Sequence, residues 1–135
     1  MREVSFEEIC KAIKKFKLSG FDLVVGIASG GVVPAGLLAY KLGCGLSVIR
    51  LNYRDKNNKP KYARPQVFKN TVLPAGAKRI LLVDDVSVSG KTIRTAKGLF
   101  KNYRIKTFVL KGKADYVLFP KYDDCVKWPW KDHEK

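Results

Sequence analysis

Cysteine, histidine and acidic residues are all scarce in this chain of 135 residues. The three cysteines, Cys10, Cys44 and Cys125, are widely spaced and odd in number, which argues against a disulfide scaffold or a zinc site and favours a reducing compartment. The single histidine, His133, lies in a charged tail, and we assign it no catalytic role. No apolar run approaches the ~18 residues of a membrane span, and the charged first twenty residues argue against a signal peptide. We therefore expect a cytoplasmic protein with no membrane partner.

The charge of the chain is strongly one-sided, with 27 Lys and Arg against 12 Asp and Glu and a formal net charge of +15. This excess predicts an anionic partner, but charge alone does not distinguish nucleic acid, a membrane surface and a phosphorylated small molecule. Hydrophobic residues make up 46% of the chain, too many for a disordered basic tail, and the length predicts one domain over residues 1–135. Between Arg50 and Lys69, seven basic residues and one acid predict a long basic loop, either a functional lid or a solvated segment.

Strand and helix patterns alternate along the chain. A capping box at Ser5 predicts a helix from about Phe6 to Lys17, and further helices are predicted from Pro34 to Gly43 and from Thr92 to Tyr103. Apolar runs predict buried strands at residues 23–27, 46–51, 80–83 and 107–110, with a short strand or hairpin near Val67. This alternation predicts an α/β fold with a parallel sheet and with ligands beyond the carboxyl ends of the strands. The aromatic tail from Tyr116 is expected to pack over the rest of the domain.

Two adjacent carboxylates and a turn of small residues follow the predicted strand at residues 80–83. Asp84 and Asp85 precede residues 87–92, where successive amides and hydroxyls meet a helix N-terminus. The turn predicts a site for a monophosphate, and the carboxylates suit vicinal hydroxyls or a metal. A sugar phosphate carries groups that fit both the turn and the carboxylates. A triphosphate-binding P-loop needs a glycine at position 85, which is Asp85 here. The other alternative is a capped helix with an accidental Asp pair.

The segment LLVDDVSVSGKT resembles the phosphoribosyl-diphosphate (PRPP) motif of the type I phosphoribosyltransferases. GIASGGVVPAGLLA is similar to that family's diphosphate-binding loop and following helix, residues 52–70 to its flexible catalytic loop, and residues 111–130 to its C-terminal hood. The Trp-Pro-Trp ending and Lys111 are most similar to bacterial and archaeal xanthine-guanine and hypoxanthine enzymes. The resemblance implies a single-domain, parallel-sheet type I phosphoribosyltransferase fold with helices on both faces and a small C-terminal/N-terminal hood.

The same resemblance implies a role for individual residues. It implies that Asp84 and Asp85 hold the ribose hydroxyls and Mg²⁺, directly or through water, and that Tyr53 is a catalytic residue of the flexible loop. Two loops would bind the PRPP phosphates. The first comprises Ser29, Gly30 and Gly31, and the family often has a cis peptide at the Ser29-Gly30 position. The second comprises Ser87, Val88, Ser89, Gly90, Lys91 and Thr92. Lys111 would contact the 6-oxo group of a purine, and Cys125 and Val126 would lie against the base.

The activity implied by the resemblance is transfer of ribose 5-phosphate from PRPP to a purine base, with a 6-oxopurine favoured, in purine salvage. Diphosphate and a nucleoside monophosphate would be the products, Mg²⁺ the cofactor and a homodimer the assembly. Four positions depart from the family pattern: Val88 replaces an aspartate that exchanges a proton with N7 of the base, Ser29 replaces Lys or Arg, Asn52 replaces serine, and Cys125 replaces an aromatic. The alternative is a regulatory relative that binds PRPP, a nucleotide or RNA with weak or no catalysis, RNA being the less favoured partner.

Overall fold

The computed structural model describes residues 2–52, 66–67 and 76–131. Helices and strands alternate over these residues, as the sequence predicts. In chain order they are β1 (Arg2–Glu3), α1 (Phe6–Lys15), β2 (Leu23–Ala28), α2 (Val32–Leu42), β3 (Gly45–Asn52), β4 (Gln66–Val67), β5 (Arg79–Ser87), α3 (Lys91–Gly98), β6 (Arg104–Gly112), β7 (Tyr116–Val117) and β8 (Val126–Lys127). Apart from Asn52, Gln66 and Val67, the predicted basic loop over 52–70, including Tyr53, lies outside the described residues.

The main sheet has the strand order β4-β3-β2-β5-β6-β7. All neighbours in it pair in parallel except β4, which pairs antiparallel with the end of β3. The predicted central strand, β5, lies between β2 and β6. Because the strands are parallel, the carboxyl ends of β2 and β5 lie at the same edge of the sheet, and this edge is where a ligand is expected.

Helices cover both faces of the sheet. On one face, α1 and α2 pack with strand side chains into a core that includes Ile9, Leu38 and Phe108. On the other face, α3 packs through Ile93 and Ala96 into a second core. Full burial of each large aliphatic side chain stabilises the fold by about 1.5–3 kcal/mol. The two cores confirm the predicted α/β fold with helices on both faces.

Segments from the two ends of the described chain form the small hood. β1 pairs in parallel with β8, and the rings of Phe119, Tyr122, Trp128 and Trp130 stack in the segment around β8. Trp128 is only 1% exposed and belongs to the core under α1 and α2. The aromatic tail therefore packs onto the domain, as the sequence predicts.

The boundaries of the helices differ from the prediction. α1 ends at Lys15 rather than near Lys17 because Phe16 has an extended backbone and its ring packs edge-on against Phe108. α2 begins at Val32, so Pro34 is its third residue rather than its first; the missing N–H of proline is tolerated throughout the first turn, where amides have no helical partner. α3 ends at Gly98 rather than at Tyr103, since glycine is a weak helix former.

β5 is longer than the apolar run that predicts it. It continues to Ser87, so Asp84 and Asp85 lie inside the strand. The sequence predicts, wrongly, that both lie past its end. β6 continues beside it, and Val86 pairs with Lys111. Among the helices of the described residues, none has the length and hydropathy that crossing a bilayer requires.

Candidate functional site

Asp84 and Asp85 point to opposite faces of the sheet, because consecutive side chains of a strand alternate. Asp84 lines a cavity of about 180 Å³ on the face of α3, together with the turn that joins β5 to α3. Asp85 points to the face of α1 and α2 and is 7% exposed. The Asp85 amide donates to Asp84 Oδ1 at 2.8 Å, and the Val86 amide donates to Asp85 Oδ1 at 2.7 Å. Asp84 thus faces the cavity, whereas Asp85 is buried on the other face of the sheet.

The electrostatics of this pair favour a bound cation. Burial, followed by the negative charge of Asp85, raises the pKa of Asp84 to about 8, although Lys131 and the hydrogen bond from the Asp85 amide act in the opposite direction. Burial and the charge of Asp85 therefore favour the protonated form of Asp84 in the free protein. A divalent cation next to the pair would reverse this preference and stabilise the carboxylate.

The turn between β5 and α3 offers free backbone donors to the cavity. Within the described part of the chain, the amides of Val88, Ser89 and Gly90 donate to no other group. Gly90 has a φ of +79°, which favours glycine, and the turn is tied together by a bond from Arg94 Nη1 to the Ser89 carbonyl at 3.0 Å. Free amides at a helix N-terminus form an anion site. The predicted phosphate residues 87–92 are therefore together, with Val88 79% exposed at the cavity.

The glycine loop after β2 lies against Asp85, on the face of α1 and α2. A Cβ atom on Gly30 would come within 2.6 Å of Asp85 Oδ1, and one on Gly31 would come within 2.7 Å of the Ile27 carbonyl oxygen. The cis peptide bond joins Ala28 and Ser29, one residue before the predicted Ser29-Gly30 position. The structure thus brings Gly30 to Asp85, and Gly31 to the backbone of Val83 and Ile27, so closely that a side chain at either glycine would clash.

Lys131 is a site residue that the sequence patterns do not predict. Its Nζ lies 3.6 Å from Asp85 Oδ2, a buried oxygen that has no hydrogen-bond partner among the described residues. The Lys131 amide donates to the Trp128 carbonyl at 3.1 Å, so the turn after the stacked tryptophans carries the ammonium group to the carboxylate. Local sequence patterns contain no signal for this contact, because it joins two segments that are far apart in the chain.

The predicted base contacts lie in two places. Lys111 is at the carboxyl end of β6, beside Val86, and the alternation of the strand directs it to the face of α3. Cys125 is exposed in the hood, where its carbonyl accepts from the Arg2 amide at 3.0 Å, and Val126 in β8 packs against the core. Their role as base contacts stays a prediction.

The donor set of the site fits Mg²⁺. This hard cation prefers oxygen ligands and is commonly held by one or two carboxylates together with substrate phosphates and water. Asp84 and Asp85 supply such oxygens, and Asp85 Oδ2 is buried without a hydrogen bond. The described residues contain no cluster of three or more His, Cys, Asp or Glu that could complete a metal site. Further ligands would therefore come from a phosphorylated ligand and water.

Comparison with known proteins identifies the family. The model of the phosphoribosyl transferase domain matches residues 5–131. The chain belongs to the phosphoribosyltransferase family. The orotate phosphoribosyltransferase of Sulfurisphaera tokodaii is 32% identical over 94 residues, which are 70% of this chain and 44% of that protein. The xanthine-guanine phosphoribosyltransferase of Gluconobacter oxydans is 29% identical over 117 residues, which are 82% of this chain and 68% of that protein.

The phosphoribosyltransferase fold is also evident in solved structures. The purine phosphoribosyltransferase of Pyrococcus horikoshii superposes with a TM-score of 0.77 at 24% identity, over 99% of this chain and 95% of that one. The predicted family and fold are therefore confirmed, and purine enzymes are among the structural neighbours.

Proposed function

We propose that the chain is a Mg²⁺-dependent phosphoribosyltransferase that transfers ribose 5-phosphate from PRPP to a purine base, with a 6-oxopurine favoured, and releases diphosphate. The observation that carries this proposal is the junction of β5 and α3. There, paired carboxylates adjoin a turn with free amides, so the groups that recognise hydroxyls and the groups that recognise a phosphate are a few residues apart. PRPP carries hydroxyls and a phosphate on one ribose.

Each part of PRPP has a complementary part of the site. The 5-phosphate would accept hydrogen bonds from the amides of Val88, Ser89 and Gly90, aided by the positive N-terminal end of α3. Asp84 would bind the ribose hydroxyls, because it lines the same cavity. The loop of Gly30 and Gly31, which packs against Asp85 and the neighbouring strands, would present its backbone to the diphosphate.

The reaction requires that negative charge on the departing diphosphate and positive charge on the ribosyl carbon be stabilised together. Mg²⁺ held by Asp84 and Asp85 would neutralise part of the negative charge of the departing diphosphate. Asp84 and Asp85 would orient the ribose and hold it by its hydroxyls without forming a bond to it. The turn amides would anchor the phosphate end, so that the ribosyl carbon faces the base held near the end of β6.

The preference for a purine is supported by the xanthine-guanine relative and the purine-enzyme neighbour, while the orotate relative favours a pyrimidine. Lys111 at the end of β6 would donate to the 6-oxo group of the base. Val88 provides no group that exchanges a proton with N7, so we expect slow turnover of 6-oxopurines. Val88 also favours a second candidate function, a regulatory protein that binds PRPP or a nucleotide with weak or no catalysis.

Turnover assays with PRPP, Mg²⁺ and a panel of adenine, guanine, hypoxanthine, xanthine, uracil and orotate test the proposed activity. Calorimetric titration of PRPP into a Gly90→Val variant tests the site, because the added side chain would block the turn. Gly43→Val is the matched control, since Gly43 also has a positive φ of +67° but ends α2. We expect PRPP binding to be lost in Gly90→Val and kept in Gly43→Val. Unchanged binding in Gly90→Val would refute the site, and PRPP binding without turnover of any base would support the regulatory function.

A further inference from the structure

A second cavity, lined by basic residues, lies at the opposite edge of the sheet, at the amino ends of β5 and β6. Its volume is about 230 Å³, and its lining includes three cationic side chains and two aromatic rings, those of Arg79, Arg104, Lys106, Phe21 and Tyr116. The carboxylates and the phosphate turn described above lie at the carboxyl edge. The cavity is therefore a separate site.

The register of the sheet sets the positions of the cations. Arg79 and Arg104 are directly opposite each other on parallel neighbours, so their side chains project from the same face about 4.8 Å apart at the backbone. Lys106 is two residues beyond Arg104 and projects from that face as well. Like charges that face each other across a sheet destabilise it. An anion bound between them would remove this repulsion.

The surrounding acidic residues do not neutralise the charges of Arg79, Arg104 and Lys106. No salt bridge within the described residues joins Arg79, Arg104 or Lys106 to a carboxylate. The nearby carboxylate, Asp22, accepts hydrogen bonds at Oδ2 from the amides of Lys78 and Arg79 at 3.1 and 2.9 Å, and these bonds lower its pKa. Asp22 therefore carries one negative charge, which offsets part of the Arg79 charge. The cavity remains positive.

The aromatic rings of Phe21 and Tyr116 line the cavity beside the cations. Phe21 and Tyr116 meet edge to face with centroids 6.5 Å apart, and Tyr116 meets Phe16 in the same way at 6.1 Å. Both lining rings are only partly buried. Cations that follow a phosphate backbone and rings that contact bases are the combination found in grooves for single-stranded nucleic acid.

We propose that this cavity binds a segment of single-stranded RNA, with its phosphates on Arg79, Arg104 and Lys106 and a base against Phe21 and Tyr116. The site is independent of the proposed transferase activity and goes beyond it, because it uses the opposite edge of the sheet.

Fluorescence anisotropy of a fluorescein-labelled, 12-nucleotide oligouridylate, titrated with the full chain between 50 and 200 mM NaCl, tests this proposal. Arg104→Gln is expected to weaken binding about tenfold at low salt and to reduce the slope of log K against log salt by about 0.7, the value for one phosphate contact on a single strand. Lys121→Gln is the matched control: it removes the same charge from an exposed position in the hood, and its binding is expected to change less than twofold.

A second measurement on the same variants separates this site from general attraction to a basic surface. Because Arg104→Gln also removes a facing like charge, we expect its Tm to rise by about 2 °C while RNA binding falls, and Lys106→Gln to weaken RNA binding similarly. Equal weakening by Lys121→Gln would show diffuse attraction and overturn the proposal. Displacement of the RNA by PRPP or by ATP at equal phosphate concentration would also overturn it, in favour of a small-molecule site.

Discussion

Replacement of Asp84 by asparagine is expected to stabilise the free protein at neutral and alkaline pH. In the folded protein, burial and the charge of Asp85 disfavour the ionised form of Asp84. Asparagine has nearly the same shape, keeps the oxygen that accepts from the Asp85 amide, and carries no charge. The variant therefore removes an electrostatic cost without creating a cavity or an unsatisfied amide.

The magnitude follows from the pKa of Asp84. The rise from 3.8 to about 8 spans about four units, and at about 1.36 kcal/mol each these give an upper limit of about 5.5 kcal/mol. Movement of Lys131 towards the pair and entry of water reduce this cost, and we expect about 2–3 kcal/mol at pH 8, or about 8 °C in Tm. Between pH 4 and 8, the folded state binds more protons than the unfolded state, so the stability of the unaltered protein falls as pH rises. The advantage of Asp84→Asn should be absent at pH 4 and complete above pH 8.

Thermal unfolding of the two proteins in EDTA, from pH 4 to pH 9, measures this difference. Asp123→Asn is a suitable control because Asp123 is exposed in the hood. The same Asp84→Asn variant is expected to lose turnover, since the proposed ribose contact would lose its charge. If the Tm difference were the same at pH 4 and pH 9, or if Asp84→Asn were less stable at pH 8, burial of Asp84 would not be the source of the cost.

Three further substitutions test other parts of the site. Gly30→Ala would place a Cβ atom against the Asp85 carboxylate and should lower the free energy of unfolding by about 1–3 kcal/mol, whereas Gly36→Ala inside α2 meets nothing within 4 Å and should raise it by about 0.5–1 kcal/mol; chemical denaturation compares the two. Lys131→Met should lower stability in EDTA by about 1 kcal/mol and enlarge the Tm increase caused by Mg²⁺, because Asp85 loses its protein cation; an unchanged response to Mg²⁺ would contradict this. Val88→Asp should raise kcat for hypoxanthine or guanine at saturating PRPP by about 10²-fold, and fast turnover by the unaltered protein would show that proton transfer is not limiting.

The order of elements could be predicted because each has a local cause. The capping box at Ser5 does begin α1, and the hydrogen bonds between Ser5 and Glu8 form in both directions. Gly43 does end α2, with a positive φ. The ends of α1 and α3 could not be predicted, because the apolar spacing continues past both: Phe16 leaves the helix to pack on Phe108, and Phe100 continues the pattern in a turn after Gly98.

From local patterns alone, the site was predictable only where its residues are close in the chain. Asp84, Asp85 and the turn that follows are consecutive, so their spacing predicts a carboxylate pair beside an anion site, and the structure places Asp84 and the turn around one cavity. The prediction ended the strand at the first carboxylate because charged residues usually mark the end of a buried run. β5 instead continues beside β6, and this pairing, which no local pattern shows, sends the two carboxylates to opposite faces. The contacts of Asp85 with Gly30 and Lys131 depend on the fold. The surroundings of Asp85 are therefore determined by strand pairing and not by the local motif.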